Sequence, residues 1–95
     1  MLEKQIVKKI MAWLKTVPGS YWVKVHADAA NPGAPDISGC VRGRRVELEV
    51  KRPGGKATPL QLAKLRAWES AGALTAIVYS VEDAKEILRD CIQEK

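Results

Sequence analysis

The feature that most constrains the fold of this chain is a pair of β-forming runs separated by only two residues. The runs are Asp36–Val41 and Arg44–Lys51, and Arg42-Gly43 lies between them. A two-residue connection that contains glycine is typical of a tight β-hairpin. If these two residues form the turn, counting outward along both strands places Asp36 directly opposite Glu49. Because opposite side chains on one face have Cβ atoms roughly 4.5–5.5 Å apart, the hairpin predicts two neighbouring carboxylates.

The second run of the hairpin, Arg44–Lys51, alternates between apolar and charged side chains, which face opposite sides of a strand. The apolar side chains are those of Val46, Leu48 and Val50. The charged side chains on the other face are those of Arg45, Glu47, Glu49 and Lys51. A charged face is normally solvated, but this strand follows a partner strand of buried character. We therefore expect the charged face to line a cleft.

Two elements are predicted before the hairpin. An apolar stripe at helical spacing predicts a helix from Leu2 to about Val17, where Pro18-Gly19 stops it. Alternation of β-forming residues predicts a strand from Tyr21 to Ala27. A loop from Ala29 to Pro35 then leads to Asp36.

Three elements are predicted after the hairpin. Thr58 is the N-cap of a helix that runs to about Ala71. The apolar run Leu74–Tyr79 predicts a central parallel strand, and Ser80 caps a last helix that ends near Ile92. The order α-β-β-β-α-β-α predicts an α/β fold in which helices flank a mixed sheet. A right-handed crossover is expected to join the last two strands.

Length and composition restrict the class of protein. The 95 residues suit one domain spanning 1–95, and 46% hydrophobic residues are too many for a disordered chain. No apolar run is long enough to span a membrane and no signal-peptide pattern is present, so we expect a soluble, cytoplasmic protein without a membrane partner. The net charge of +5 favours a polyanionic partner or, equally, a merely soluble basic surface.

The paired acids suit a hard cation. Asp36 and Glu49 offer carboxylate oxygens, and the Val50 backbone carbonyl offers a third oxygen, which are the ligands that Mg²⁺ prefers. A metal held there lowers the pKa of a bound water and stabilises charge on a phosphate under attack. Lys51 lies on the same strand face as Glu49, where it is expected to orient that water or neutralise developing charge. This pattern is the minimum for metal-dependent cleavage of a phosphodiester.

These features resemble the PD-(D/E)xK nuclease superfamily and, within it, the virus-type replication-repair nuclease (VRR-NUC) domains. The resemblance covers nearly the whole chain. Its matching segments are Gly33-x-Pro35-Asp36-Ile37, Glu49-Val50-Lys51, the helix start Thr58-x-x-Gln61, and Gly72 before an apolar strand. It implies a restriction-endonuclease-like core and a Mg²⁺- or Mn²⁺-dependent endonuclease that needs no small-molecule cofactor.

The resemblance also implies roles for individual residues. Asp36 and Glu49 become metal-binding carboxylates, Lys51 the catalytic lysine, and Gln61 an active-site residue that places the substrate or the lysine. An acid of the first helix often joins such sites, and Glu3 is the candidate. An acid in the first helical turn is equally explained by the helix dipole. Glu47 has two interpretations, an acid behind the metal ligands or a partner of Arg45, and we favour the second.

Stand-alone members of this group are similar to homodimeric phage enzymes, acting within the host cell on branched DNA such as four-way (Holliday) junctions in DNA repair. The basic residues predicted to contact the DNA backbone are Lys56, Arg52, Arg42, Arg44 and Lys24. No base-reading helix is evident, so we expect recognition of DNA shape. Three alternatives remain open: a flap or nicking nuclease, a non-catalytic DNA-binding module with the nuclease fold, and a small metal-binding or protein-interaction domain.

Overall fold

The computed structural model of the protein describes residues 1–26 and 28–93. Three helices and four strands follow one another in the predicted order α-β-β-β-α-β-α. Their bounds are α1 Glu3–Leu14, β1 Ser20–Lys24, β2 Ile37–Val41, β3 Arg44–Val50, α2 Pro59–Ser70, β4 Leu74–Val78 and α3 Val81–Ile92. The strands form one mixed sheet in the order β1-β2-β3-β4, with β3 and β4 parallel and the other pairs antiparallel.

The tight hairpin between β2 and β3 is confirmed. Val41 pairs with Arg44, and the same register continues to Ile37 opposite Leu48. The turn residues Arg42 and Gly43 both have positive φ, 50° and 86°. Positive φ at both central residues defines the type I′ turn, whose twist matches that of the flanking strands, and glycine adopts it without steric cost.

The two faces of the sheet are covered by different helices. α1 and α3 pack on the apolar face, where Ile10, Leu14, Leu48 and Leu88 are fully buried in one hydrophobic core. α2 packs on the other face, and the Arg45 guanidinium lies 4.3 Å from the centre of the Trp68 ring of α2. The charged face of β3 is therefore covered by a helix and is not open to solvent.

The helix starts follow their capping residues, whereas the end of α1 differs from the prediction. Thr58 caps α2 as predicted, its hydroxyl accepting a hydrogen bond from the Gln61 N–H. The helix α1 ends at Leu14, three residues before Val17. The N–H groups of Thr16 and Val17 bond to carbonyls three residues back, so the chain tightens and leaves the helix early.

Two strands differ from the sequence prediction. The strand β1 ends at Lys24 rather than Ala27, which lies outside the described residues. Within the described residues the strand β4 pairs only with β3, so its predicted central place in the sheet was wrong, although its parallel direction was right. Its apolar character has another cause, because α2 and α3 cover its two faces.

The last helix is capped in a way that differs in detail from a capping box. The Ser80 hydroxyl accepts a hydrogen bond from the Asp83 N–H, as expected. The Asp83 carboxylate reaches instead to the Tyr79 N–H, one residue further back. Among the described residues, no helix is both long and apolar enough to cross a membrane.

Candidate active site

The predicted acids and lysine meet at one end of the sheet. Asp36 immediately precedes β2, Glu49 is the next-to-last residue of β3, and Lys51 directly follows that strand. The first residue of α1, Glu3, reaches the same place, with its carboxylate 4.0 Å from the Lys51 ammonium. The hairpin and the start of α1 therefore bring together four of the five residues that the sequence predicted as catalytic or metal-binding side chains.

Asp36 is held by the backbone of the strand across from it. Its Oδ2 accepts a hydrogen bond of 2.8 Å from the Val50 N–H, while its own carbonyl accepts one from the Val25 N–H. Both bonds fix the aspartate at the junction of the loop and β2. The carboxylate is thereby oriented toward Glu49, as the predicted hairpin register requires.

Pro35 bears on which groups can bond to the Val50 backbone. The observed pairing ends with Ile37 opposite Leu48, and extending its register by two residues places Pro35 opposite Val50. Antiparallel ladders alternate, so the Val50 N–H and C=O both point toward β2, and proline has no N–H to donate. The Asp36 carboxylate takes the Val50 N–H, and the Val50 carbonyl is left without a donor from Pro35. The sequence predicted this carbonyl as a metal ligand, but the role of the proline was not predicted.

Glu49 is almost completely buried, with 1% of its surface exposed. Its Oε2 lies 3.5 Å from Lys51 Nζ, and its Oε1 has no hydrogen-bond partner among the described residues. Burial and the neighbouring Asp36 charge raise the pKa of Glu49 to about 7, and Lys51 counteracts them only in part. A buried carboxylate oxygen without a partner is costly, so this atom marks a place for a cation or a proton.

Lys51 stands between two acids. It is 9% exposed, and its backbone N–H bonds to the Val78 carbonyl of β4, which fixes its direction. Its ammonium lies nearer to Glu49 than to Glu3. The described residues contain no group of three or more His, Cys, Asp or Glu side chains that could hold a metal. The observed contact of Glu3 is with the lysine, and its role as a metal ligand stays a prediction.

Gln61, which the resemblance implied as an active-site residue, takes part in the cap of α2. Its side-chain oxygen accepts a hydrogen bond from the Thr58 N–H, and its own N–H donates to the Thr58 hydroxyl. The pair forms a capping box at the start of α2. The spacing Thr58-x-x-Gln61 is itself the sequence signal of that box. The active-site role of Gln61 stays a prediction.

Two comparisons find no match: no family model matches the chain, and no curated protein matches it in sequence. Two solved structures are similar in fold. One, described as "VRR_NUC domain", has a TM-score of 0.76 and 24% identity, and the match covers 92% of this chain and 94% of that one. The other, a "VRR_NUC domain protein", has a TM-score of 0.75 and 17% identity over 98% of this chain and 89% of its own.

The chain has the VRR-NUC domain fold. The resemblance read from the sequence is confirmed at this level, and the match extends over most of both compared chains. At these identities the likeness concerns the fold. The site must therefore be judged by its own side chains.

The basic residues predicted to contact DNA divide between the two ends of the VRR-NUC sheet. Lys24 pairs with Ile37 beside Asp36, and the exposed Arg52 and Lys56 lie in the loop after Lys51. Arg42 lies in the hairpin turn and Arg44 directly follows it, about 23 Å away along β3. The Arg42 guanidinium donates a hydrogen bond to the Ile92 carbonyl at the end of α3.

A second buried acid on the VRR-NUC sheet has a purely internal set of partners. Glu47 is 0% exposed, accepts a hydrogen bond of 2.5 Å from the Ser38 hydroxyl, and pairs with Arg45 at 2.6 Å. Its assignment as a partner of Arg45 is confirmed. Ser38 was missed, although the hairpin register places it directly opposite Glu47.

Proposed function

We propose that the protein is a metal-dependent endonuclease that hydrolyses DNA phosphodiesters. The observation that carries the proposal is the buried, unpartnered Glu49 Oε1 beside Asp36, with the Lys51 ammonium 3.5 Å from the other oxygen of the same carboxylate. The VRR-NUC fold of the two similar structures supports a nuclease. The net charge of +5 favours a polyanionic substrate.

The residues at this end of the sheet fit a hard divalent cation such as Mg²⁺ or Mn²⁺. Asp36, Glu49 and the Val50 carbonyl would supply oxygen ligands, the donor set that such cations prefer. The hairpin brings the two carboxylates together, and Pro35, which the extended register places opposite Val50, has no N–H to donate to the Val50 carbonyl. When bound, the metal supplies an activated water and stabilises the charge on the phosphate.

The protein's own residues do the rest of the work in this proposal. Lys51 donates hydrogen bonds to the attacked phosphate or to the attacking water, and it neutralises charge that develops in the transition state. Glu3 helps to direct that lysine toward the site, since its carboxylate lies 4.0 Å from the ammonium. Burial of Glu49 and Lys51 lowers the local dielectric and strengthens each of these interactions.

The proposal is tested by mixing purified protein with duplex DNA in Mg²⁺ or Mn²⁺ and following strand cleavage. Cleavage should disappear in Lys51→Ala and Asp36→Ala, and both variants should keep their fold by circular dichroism. Arg66→Ala, at an exposed position of α2, serves as the matched surface control and should cut normally. Undiminished cutting by Lys51→Ala would refute the proposal.

The finer proposal is that the preferred substrate is branched DNA, including four-way junctions, and that the enzyme acts as a homodimer. Symmetric cutting of a junction needs two active sites, and a two-fold dimer supplies them. A panel of duplex, flap, nicked and four-way-junction DNAs, combined with the mass measured by light scattering, tests both parts. Preferential cutting of flaps or nicks by a monomer would replace this proposal with a flap or nicking nuclease.

A non-catalytic DNA-binding module is the second candidate, because the positive charge alone would serve it. This candidate predicts binding without turnover in any divalent metal. Metal-dependent cleavage of any DNA that is lost in Lys51→Ala excludes it.

A further inference from the structure

A groove of about 720 Å³ runs along the exposed side of α1 and reaches β1. Its positive charge comes from four exposed lysines: Lys4 and Lys8 of α1, Lys15 directly after α1, and Lys24 at the end of β1. None of the described residues that line it is acidic. We refer to it as the α1 lysine groove.

Helical spacing explains why three of these lysines form one stripe. Lys4, Lys8 and Lys15 are four and eleven residues apart, and both steps return to nearly the same face of an α-helix. The buried Val7 and Met11 form an apolar floor along which the lysine stems can lie. Like charges at the four-residue spacing repel one another, and an anionic partner would remove that repulsion.

Two residues that line the groove are neighbours, in sequence or in the sheet, of residues close to the candidate active site. α1 starts at Glu3, which contacts Lys51, so the lysine stripe begins one residue from the site. Lys24 pairs with Ile37, the neighbour of Asp36. Lys4 and Lys15 are about 16 Å apart along the helix axis, a length over which one strand of duplex DNA presents about five phosphates.

We infer that the α1 lysine groove binds the phosphate backbone of the DNA duplex next to the cleaved bond. This inference deepens the proposed function and rests on it, and of the contacts predicted from sequence only Lys24 belongs to the groove. Lysine ammonium groups make point-charge contacts with phosphates, so the groove adds affinity without reading bases. Its contribution is therefore strongly salt-dependent.

An anionic membrane surface carries the same kind of charge, but the structure favours DNA. A helix that binds a bilayer inserts its apolar face into the lipid. The apolar face of α1, with Ile6, Ile10 and Leu14, is buried in the core instead. The lysines on the exposed side of α1 are left to contact a partner. A row of phosphates can pair with them without any part of the helix entering a bilayer.

The experiment removes the charge of the stripe and measures the salt dependence of DNA binding. The groove variant is Lys4→Gln/Lys8→Gln/Lys15→Gln. The control Arg66→Gln/Lys85→Gln/Arg89→Gln removes equal charge from exposed positions of α2 and α3. Binding of a fluorescent duplex is followed by anisotropy in EDTA from about 50 to 200 mM salt, a range in which phosphate contacts dominate the change in affinity. Circular dichroism checks that both variants are folded.

We expect the slope of log affinity against log salt to be smaller in magnitude by about two to three in the groove variant, since each lost phosphate contact contributes about 0.9. The control should keep the wild-type slope. An unchanged slope in the groove variant, or an equal loss in the control, would overturn the inference. So would a groove variant that loses binding to phosphatidylserine vesicles but keeps its DNA affinity.

Parallel cleavage assays with wild-type protein separate this inference from the proposed function. If the slope falls as expected but no DNA is cut in Mg²⁺ or Mn²⁺, the groove still binds DNA and the endonuclease proposal fails. If DNA is cut and the slope is unchanged, the endonuclease proposal holds and the groove inference fails.

Discussion

Glu47 and Glu49 are two glutamates on the same face of the same strand, and the fold treats them in opposite ways. Both are buried, at 0% and 1% exposure. Each oxygen of Glu47 has a partner, the Ser38 hydroxyl for one and the Arg45 guanidinium for the other. One oxygen of Glu49 lies 3.5 Å from Lys51, and the other has no hydrogen-bond partner among the described residues.

The difference separates a structural acid from a candidate functional one. Burying a carboxylate costs free energy unless hydrogen bonds and opposite charge offset the loss of water. At Glu47 the offset comes from within the fold. At Glu49 it is incomplete, and burial with the nearby Asp36 raises the pKa to about 7. What Glu49 lacks, among the described residues, is a partner for its Oε1, and a bound cation would provide one.

The largest expected contrast between the two glutamates is in DNA cleavage. Glu49→Gln removes a proposed metal ligand while keeping the side-chain volume, and cleavage should fall by at least about a hundredfold. Glu47→Gln, two residues away on the same face, should change the cleavage rate by less than about tenfold, because it touches only the Ser38 and Arg45 partners. Initial rates in Mg²⁺ or Mn²⁺ measure both variants. Equal losses in the two would show that the charged face works as a unit.

Local chemistry explains the parts of the fold that the sequence predicted. The hairpin followed from the turn residues Arg42 and Gly43, and its register from the strict two-residue period of strands. The start of α2 followed from the Thr58 cap. The edge position of β4 was missed because the place of a strand in a sheet depends on distant pairing. An apolar run is compatible with either position when helices cover both faces.

The candidate site was predictable to the extent that it lies on the hairpin. Asp36, Glu49 and Lys51 meet because the register brings them together. The same register also places Ser38 opposite Glu47 and, when extended, Pro35 opposite Val50. Both positions could therefore have been predicted from the sequence, but they were missed. The contact between Glu3 and Lys51 depends on how α1 packs across the sheet, which no local pattern encodes.

The next contrast is in the pH dependence of stability. The pKa of Glu49 is about 7 in the folded chain against 4.5 as its ordinary value, so between these values the folded state binds more protons than the unfolded state. The free energy of unfolding should therefore fall as pH rises through this window, by about 3 kcal/mol in total. Urea denaturation in EDTA at a series of pH values measures the decline.

Glu49→Gln is the control for this decline, because the amide does not titrate in that range. The variant should lose most of the pH dependence and be more stable than wild type above neutral pH. Parallel pH profiles in wild type and Glu49→Gln would contradict the assignment of the raised pKa to a desolvated Glu49.

A smaller effect is expected from the fully partnered acid. Glu47→Gln replaces two charge-assisted hydrogen bonds by weaker ones and should lower the free energy of unfolding by about 2 kcal/mol. Because the Arg45 side chain is 48% exposed, solvent limits the value of its ion pair. A double-mutant cycle with Arg45→Gln isolates the coupling of the pair, which should be about 1 kcal/mol. A coupling near zero would assign the stabilisation to Ser38 instead.

The smallest expected effect concerns the backbone oxygen that would complete the Glu49 site. Pro35→Ala restores an N–H opposite the Val50 carbonyl, and a hydrogen bond between them would compete with a metal for that oxygen. A net hydrogen-bond contribution of about 1 kcal/mol would weaken Mn²⁺ binding about fivefold, as measured by titration calorimetry. Pro32→Ala, in the same loop but outside the hairpin register, reproduces the loss of a proline and should bind Mn²⁺ like wild type. Equal Mn²⁺ affinities in the two variants would mean that Pro35 does not keep the Val50 carbonyl available. The difference between the Glu47 and Glu49 positions would then come from their side-chain partners, with no contribution from the Val50 carbonyl.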